Sequence, residues 1–526
     1  MNNHKSKVWT ISAAIVFAVV LLATAGLLVK VAGLNMLPMK YLGLAILAVV
    51  FLLLLIFAFF FVLPLKKKTD ENATEEQSVK KPVAKYVLRS IAMILAIAMV
   101  VVDVAGIQMV NKFEETMDNL IEDDKNETVK VEEYVIGVFV RTEDKAENLD
   151  DVKRYDIGYS LAYDRNNTQK AINVMENELD RKFNLEEFKD IFEMVDKVLA
   201  DEKDAFILST SYLDILEEQE GYEDIADKIR CVHECTVTIE TEVEAKEEET
   251  FDVTKDTFVV YVSGHDTTFA ATRANSDVNI LAVVNPTTKQ VLLINSPRDS
   301  YVPISVSPDG ALDKLTHCGT YGVECSMDTL NDLYDIDIRY YAQLNFTGFM
   351  RLIDAVGGIS VYSEKHIETF DGYTFVQGVN ELNGEQALRF VRERKMYGGD
   401  RIRGRHQMEV IKGLIAKLSS GALLRNYNGI LDSMGRYFKC NVPQEDMSAL
   451  VKMQLGDMAK WDIQMYAITG TGDNKTSYSL PNLSTYVMIM DQATIDHAKT
   501  LIQMVYDGET IEDEDLILPS ERETEN

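Results

Sequence analysis

The sequence predicts an α/β protein with three amino-terminal transmembrane helices, a small α/β accessory domain and a larger α/β domain whose central mixed sheet is flanked by helices. Apolar stretches of about 20 residues open the chain, long enough to cross a bilayer. An acidic, polar stretch follows them. Apolar strand-like runs then alternate with segments of helical spacing, a pattern typical of sheets covered by helices.

Length and composition limit the function classes. At 526 residues the chain is too long for one ordinary core. Its 84 acidic against 53 basic residues, a net charge of −31, argue against a nucleic-acid binder, which would carry a basic surface. Five cysteines do not make a disulfide scaffold, although an outside location would permit a Cys231–Cys235 or Cys318–Cys325 bridge. Cys231, His233 and Cys235 together fall short of a zinc site.

The three spans predict the orientation of the chain. Residues 8–29 and 41–65 carry no charge, and residues 91–110 carry only Asp103. For Asp103 we favour partial snorkelling toward the outer interface over a proton relay. Lysines fill the loop 66–89, so the amino terminus is predicted to be cytoplasmic and everything after about Val110 extracellular, in a multi-pass membrane protein.

The predicted organisation follows from composition shifts along the chain. The segments are three transmembrane helices in 1–110, a stalk in 111–130, the accessory domain with an acidic linker in 131–250, the larger α/β domain in 251–507 and an acidic, disordered tail in 508–526. The accessory domain shows no set of residues that carries chemistry.

In the larger domain, polar residues stand at predicted strand ends. The strands 258–266, 278–284 and 290–299 place Asp266, Asp277, Arg298 and Asp299 there, where α/β sheets usually bind ligands. Two converging carboxylates suit Mg²⁺, which takes the rest of its ligands from phosphate oxygens and water. Each aspartate taken singly is more often a turn or cap residue.

The stretch 390–407, FVRERKMYGGDRIRGRHQ, places five arginines within fourteen residues of this acidic chain. In a strand, Arg392 and Arg394 would share one face. Asp400 is placed to cap the next helix, on which Arg403 and Gln407 share a face. Guanidinium groups converging from both elements would match a phosphate or diphosphate. The alternative is a solvated basic helix start.

Several motifs of this domain resemble the LytR–CpsA–Psr family over about residues 257–418. They are SDVNI (276–280), SPRDSYVPI (296–304), DKLTHCGTYG (313–322), LNFTGFMRLIDAVGGI (344–359), LNGEQALRFVRER (382–394) and DRIRGRHQ (400–407). The three spans and the accessory domain look like its CpsA-type branch, found with capsule loci. The resemblance implies a membrane-anchored enzyme outside a Gram-positive cell. It would move a glycopolymer from a polyprenyl-diphosphate carrier to peptidoglycan, leaving polyprenyl phosphate.

The resemblance also implies roles for individual residues. Asp266 and Asp277 would bind Mg²⁺, and Asp400 would support a diphosphate-binding set made of Arg298, Arg392, Arg394, Arg403 and Gln407. The family has Arg-Ser-Asp where this chain has Asn275-Ser276-Asp277, so either Arg273 reaches in or one cation is missing. Arg401 and Arg405 fall on the other helical face and are expected to be surface charges. Whether Lys314 and His317 touch the ligand stays open.

Chemistry and partners follow from the same resemblance. Asp277 or Asp299 would accept the proton of the acceptor hydroxyl. The expected partners are a polyprenyl-diphosphate-linked glycan, peptidoglycan, the membrane and capsule-synthesis membrane proteins. A polyprenyl-diphosphate pyrophosphatase and a non-catalytic regulator of capsule synthesis are the alternatives. The retained arginines and aspartates favour catalysis over the regulator.

Overall fold

The computed structural model describes residues 2–63, 81–120, 129–161, 165–217, 219, 221–222, 224–242, 250–265, 273–307, 309–369, 372–393, 399–422, 426–434 and 437–522. The chain divides into two compact units. One, here called the membrane unit, comprises Met1–Asn119, Ser419–Gly435 and Val442–Ala459. The other, the α/β unit, comprises Leu120–Leu418, Arg436–Asn441 and Lys460–Asn526.

The membrane unit begins with three apolar helices. They are α1 (Asn2–Gly33), α2 (Met39–Phe57, continued by a wider turn over Ala58–Val62) and α3 (Lys81–Leu120). The stretches Trp9–Gly33, Met39–Val62 and Tyr86–Met117 within them are long and apolar enough to cross a membrane. The three predicted spans are thereby confirmed as helices. Residues 66–80 of the predicted lysine-rich loop lie outside the described residues.

Asp103 is not directed to the interface as predicted. Its side chain is buried, and its carboxylate accepts a hydrogen bond of 2.6 Å from the Thr24 hydroxyl of α1. Lys30 and Glu114 form a second link between α1 and α3 at 2.7 Å. A polar partner on a neighbouring helix removes the need to reach water, so the snorkelling prediction is wrong.

The α/β unit begins with a small domain built on a mixed sheet. Its elements are β1 (Val129–Arg141), β2 (Asp156–Tyr159), α4 (Arg165–Glu178), β3 (Asn184–Glu187), α5 (Ile191–Leu199), β4 (Ala205–Ser209), α6 (Leu213–Glu217), α7 (Ile225–Lys228) and β5 (Ile229–Glu242). The strand order is β3-β2-β4-β1-β5. Separate apolar cores cover its two faces. This is the predicted accessory domain, and it is α/β.

The larger domain follows. From its start to the end of the described chain the elements are, in order, β6 (Phe258–His265), β7 (Val278–Asn285), β8 (Gln290–Asn295), β9 (Tyr301–Pro303), β10 (Leu312–Lys314), α8 (Leu315–Cys318), α9 (Val323–Tyr334), β11 (Tyr340–Asn345), α10 (Phe346–Ala355), β12 (Ile359–Ser363), β13 (Ile367–Glu368), β14 (Thr374–Phe375), β15 (Gly378–Leu382), α11 (Gly384–Arg392), α12 (Gly399–Lys417), α13 (Tyr427–Met434), β16 (Phe438–Cys440), α14 (Gln444–Asp457), β17 (Asp462–Ala467), β18 (Gly470–Thr476), β19 (Ser484–Met490), α15 (Gln492–Asp507) and α16 (Pro519–Arg522), of which α13 and α14 are part of the membrane unit.

The main sheet of this domain is mixed and covered on both faces. Its strand order is β16-β11-β6-β7-β8-β17, with β6–β11 and β8–β17 parallel and the other pairs antiparallel. On one face, α9 and α15 complete a core around Tyr261 and Leu292. On the other, Met408, Ile411 and Ile415 of α12 pack on strand residues such as Ile280. The predicted mixed sheet flanked by helices is confirmed.

The carboxyl-terminal segment differs from its prediction. The sequence predicts disorder after Asp507, whereas in the structure Ile511 is buried in the same core as α15 and Leu516 packs against it. The His497 side chain also donates a hydrogen bond of 2.7 Å to the Asp515 carbonyl. Aliphatic residues interrupt the acidic run, and their burial holds residues 508–518 on the domain.

Helices α13 and α14 belong to the membrane unit. Lys112 of α3 pairs with Asp432 of α13 at 2.6 Å. Lys452 of α14 donates to the Asn35 side chain at 2.8 Å. These contacts tie the two helices to the ends of α1 and α3.

Candidate functional site

One edge of the main sheet collects strand ends with polar side chains. Strand β6 ends at His265, and β11, parallel to it, ends at Asn345. Strand β7 runs the other way and begins just after Asp277, and β8 returns to end at Asn295. The topology therefore brings Asp277, the residue just before β7, and the residues that follow β8 and β11 to the same edge of the sheet.

Asp277 stands at the centre of this edge. One of its carboxylate oxygens accepts from Arg298, and the other accepts from Nη2 of Arg403 at 2.9 Å. All three side chains are largely buried. Arg298 follows β8 and Arg403 lies in the second turn of α12, so the carboxylate holds together two guanidinium groups from distant parts of the chain.

Arg403 has N–H groups that its hydrogen bond to Asp277 does not use. The residue is 4% exposed. Among the described residues, its Nε and Nη1 groups have no hydrogen-bond partner. Leaving a buried polar group unpaired costs about 1–3 kcal/mol, and more when the group is charged. Two adjacent N–H groups of one guanidinium form the planar fork that matches a carboxylate or phosphate.

A second carboxylate extends the charged cluster. Asp299 lies 3.9 Å from Nε of Arg298 and 3.4 Å from Nζ of Lys314. Lys314 is buried. Among the described residues, three cations, Arg298, Arg403 and Lys314, thus meet the carboxylates of Asp277 and Asp299. Lys314 is the member of the cluster whose role the sequence left open.

The first turns of α12 come close to the end of β8. The Gln407 side chain lies 3.5 Å from the Asn295 amide. A Cβ added to Gly404 would collide with the Asn295 amide oxygen. A glycine at this position therefore lets the helix bring Arg403 and Gln407 against the strand ends.

The arginine stretch differs in part from its prediction. Arg392 ends helix α11 and does not lie in a strand, so the predicted shared strand face is wrong. Asn383 and Gln386 form a capping box at the start of this helix, and its apolar residues are buried at helical spacing. The Arg392 guanidinium lies 5.0 Å from the centre of the Phe346 ring.

Other predicted site residues fall elsewhere or outside the described residues. Asp266 and Arg394 lie outside them. Asp400 lies in the first turn of α12, which begins at Gly399. Arg273 lies 3.9 Å from the Tyr134 ring of the accessory domain. Its guanidinium also donates to the Tyr321 carbonyl at 2.6 Å.

A buried polar layer beneath the site was not predicted. Tyr261 donates to Asn279 at 2.6 Å, and Asn279 donates to the Ser276 carbonyl at 2.9 Å. The Ser276 hydroxyl lies 2.8 Å from that of Ser263. These bonds fix the backbone next to Asp277. Polar residues inside apolar strand runs were the available sequence signal, since such groups are buried only when they are bonded.

His317 is structural in this arrangement. Its Nδ1 lies 2.6 Å from the Asp313 carboxylate, and neither side chain is exposed. Burial would raise the pKa of Asp313, but the His317 partner and bonds from Ser479 lower it below its usual range. The carboxylate is therefore a fixed part of the fold next to Lys314.

Two buried histidines near the site were not predicted either: His265 at the end of β6 and His406 on α12. Burial lowers the pKa of each from 6.5 to about 4. The Asp277 charge opposes this shift at His265. His406 donates from Nδ1 to the Phe390 carbonyl at 3.0 Å and stacks on the Phe390 ring. Both rings are neutral at pH 7.

Replacing His406 with glutamine is expected to flatten the fall in stability on acidification. Between pH 6.5 and 4 an unfolded chain protonates this histidine while the folded protein does not, so stability falls as pH falls through that window. A shift of this size amounts to about 3 kcal/mol for one histidine. Urea unfolding at pH 7 and pH 4.5 measures it, with the half-exposed His366→Gln as control. Equal pH slopes in both variants and the wild type would contradict the assignment.

A cavity of about 430 Å³ lies on the other side of α12. Arg405 and His406 line it, together with Tyr362, Glu364 and residues 516–518 of the carboxyl-terminal segment. Arg405 pairs with Glu364 there. Arg405 and Arg403 therefore lie on different sides of the helix, as the spacing predicts.

Sequence comparisons agree with these observations. The LytR_cpsA_psr family model matches residues 230–501. The polyisoprenyl-teichoic acid–peptidoglycan teichoic acid transferase TagT of Bacillus subtilis (strain 168) is 34% identical over 212 residues, 38% of this chain and 65% of that protein. The enzyme with the same activity from Enterococcus faecalis (strain ATCC 700802 / V583), TagU, is 35% identical over 217 residues, 40% and 71%.

The chain thus spans about two thirds of the length of these relatives. A solved structure of TagT bound to LI-WTA is 27% identical, with a TM-score of 0.39 over 49% of this chain and 93% of that one. The family match extends over more than half of the 526 residues and contains Asp277, Arg298 and Arg403. The chain belongs to the LytR_cpsA_psr family.

Proposed function

We propose that this protein transfers a glycopolymer from a polyprenyl-diphosphate carrier to peptidoglycan. The observation that carries the proposal is the buried Arg403, which bonds to Asp277 beside Arg298 and whose Nε and Nη1 have no hydrogen-bond partner among the described residues. A diphosphate supplies the oxygens that such a fork lacks. The teichoic acid transferases to which this chain is related act on a carrier and acceptor of this kind.

The chemistry is the conversion of a phosphoanhydride bond into a phosphodiester bond. The oxygen of an acceptor sugar hydroxyl forms a bond to the phosphorus nearest the glycan, and the bond from that phosphorus to the bridging oxygen breaks. Polyprenyl phosphate leaves with the electron pair. Arg298, Arg403 and Lys314 are placed to neutralise the charge that develops on the leaving oxygens.

The hydroxyl proton must pass to a base. Both oxygens of Asp277 already hold guanidinium groups. The contacts of Asp299 to Lys314 and Arg298 are longer, at 3.4 and 3.9 Å, so its carboxylate is less committed. Between the two aspartates that the sequence left open, we favour Asp299 as the proton acceptor.

Mg²⁺ fits the donor chemistry of the site. Each oxygen of a carboxylate can accept more than one partner, so Asp277 can bind a hard cation while it holds the arginines. Asp266, the other predicted ligand, lies outside the described residues. When bound, Mg²⁺ would neutralise diphosphate charge. We propose it as cofactor with Asp277 as one ligand.

The orientation in the membrane is part of the proposal. Three helices that can cross a bilayer, together with lysines in the loop between the second and third, support a cytoplasmic amino terminus and extracellular α/β domains. A reporter fused after Asn111 should be accessible from outside, and one fused near Thr74 should not. Capsule-synthesis membrane proteins are proposed as partners because the three spans and the accessory domain resemble those of the CpsA-type branch.

Transfer with purified components tests the function. The full-length protein is incubated with a polyprenyl-diphosphate-linked glycan and peptidoglycan, and two products are measured, wall-bound glycan and polyprenyl phosphate. Both are expected, and both should depend on the acceptor. Release of polyprenyl phosphate without acceptor would identify a pyrophosphatase instead. If neither product forms although the lipid binds, the protein is not this enzyme.

A further inference from the structure

The loop that carries Asp277 is held by the accessory domain as well as by its own sheet. Arg273 stands four residues before Asp277 in the sequence. Its guanidinium is stacked on the Tyr134 ring of β1, 3.9 Å from the centre of the ring. The same group donates to the Tyr321 carbonyl at 2.6 Å. Arg273 thus joins the accessory domain, the site loop and the turn after α8.

Residues 316–319, in α8 and directly after it, fix the backbone of the site. Thr316 donates its backbone N–H to the Arg298 carbonyl at 2.9 Å, and its carbonyl accepts from Ser276 at 2.9 Å. The Ala274 N–H donates to the Gly319 carbonyl at 3.2 Å. The residues flanking Asp277 and the backbone of Arg298 therefore lie along one short segment, 316–319.

Buried hydroxyl groups connect this segment to the accessory domain a second time. The Tyr321 hydroxyl lies 2.9 Å from that of Ser479 and 3.4 Å from that of Tyr212. Ser479 donates to the Asp313 carboxylate from its backbone N–H at 2.8 Å and from its hydroxyl at 2.5 Å. Asp313 adjoins Lys314, the buried lysine of the site.

Apolar packing makes this junction rigid. Leu480, the residue after Ser479, is 1% exposed and belongs to the core of the accessory domain. Leu483 packs against the same core. Moving the two domains apart here would expose these side chains to water, which is unfavourable.

We propose that the accessory domain positions the anion site, and that Arg273 is the residue through which it acts. In this role Arg273 does not bind the diphosphate. It orients the loop of Asp277, and Asp277 orients Arg298 and Arg403. The proposal deepens the proposed function, since the site it concerns is the one that would bind the carrier diphosphate.

Binding of inorganic pyrophosphate to the full-length protein tests the coupling. Arg273→Lys keeps the charge but loses the planar stack, and Tyr134→Leu removes the ring from the accessory side. Each is expected to weaken pyrophosphate binding at least fivefold by calorimetry. The double variant is expected to bind pyrophosphate as tightly as the more weakly binding of the two single variants, because both changes break the same connection. Arg339→Lys is the matched control, since Arg339 lies 3.7 Å from the Phe251 ring and has no place in the site.

The possible outcomes separate the two proposals. Unchanged binding in Tyr134→Leu with weakened binding in Arg273→Lys would mean that Arg273 contacts the anion itself, and would overturn the positioning role. Equal losses in Arg273→Lys and Arg339→Lys would overturn it as well. If the wild-type protein does not bind pyrophosphate, both the positioning role and the proposed function fail. Normal wild-type binding that neither Arg273→Lys nor Tyr134→Leu alters overturns the positioning role alone.

Discussion

Replacing Arg403 with lysine is expected to reduce glycopolymer transfer about a hundredfold. Lysine keeps the positive charge and can still approach Asp277, but it lacks the planar fork that leaves Nε and Nη1 available to an anion. A hydrogen bond to a charged group is worth roughly 1.5–3 kcal/mol, so the loss of two such bonds at the lower end of this range, about 3 kcal/mol, lowers the rate by about two orders of magnitude. The measurement is transfer from a synthetic polyprenyl-diphosphate glycan.

Arg405→Lys is the internal control for this experiment. Arg405 lies two residues away on the same helix, pairs with Glu364 on the side of the cavity, and has a side chain that is 40% exposed. A surface ion pair contributes about 0–1 kcal/mol, so transfer should change by less than fivefold. Equal activities in the two lysine variants would mean that the stretch 400–407 is an ordinary basic helix start.

Replacing Asp277 with asparagine is expected to destabilise the protein by about 3–5 kcal/mol, because it leaves two buried guanidinium groups without their counter-charge. An added anion should partly replace the negative charge that the Asp277 carboxylate supplied. Inorganic pyrophosphate should therefore raise the unfolding temperature of the variant more than that of the wild type. Stimulation of transfer by Mg²⁺ should also be lost if Asp277 is a metal ligand.

Asp432→Asn provides the comparison for Asp277. Asp432 pairs with Lys112 at 2.6 Å, but both side chains are well exposed, and the pair contributes at most about 1 kcal/mol. A small loss of stability is expected, with no change in the response to pyrophosphate or Mg²⁺. If Asp277→Asn behaves like Asp432→Asn in all three measurements, Asp277 neither organises the arginines nor binds the metal.

Local patterns predicted the strands of the main sheet well, because apolar runs ending at polar residues mark both their length and their ends. Strands β6 and β7 begin and end within one residue of the prediction, and β8 begins at the predicted residue but ends at Asn295, four residues before its predicted end. Strand β17 is different. It pairs in parallel with β8, from which about 170 residues separate it, and no local pattern specifies such a partner.

The site was predicted in part for a similar reason. Asp277, Arg298 and Arg403 lie together as the family resemblance implies. Asn383 and Gln386 have the spacing of a capping box, but that signal marks where the helix begins and not that it continues to Arg392. The position of Arg273 on Tyr134 had none. It depends on how the accessory domain packs against the larger domain, and neither local sequence specifies that packing.

The hydrogen bond between Thr24 and Asp103 gives the third apolar helix a polar link to the first. Asp103 lies near the middle of the Tyr86–Met117 stretch, and an aspartate at the centre of a span costs about 2.5–3.5 kcal/mol on translocon scales. An interhelical hydrogen bond offsets part of that cost, on average about 0.6 kcal/mol. Because α1 is synthesised first, Thr24 is already in the bilayer when Asp103 leaves the translocon. A chain shortened at its amino terminus would retain a carboxylate at hydrocarbon depth with its partner removed.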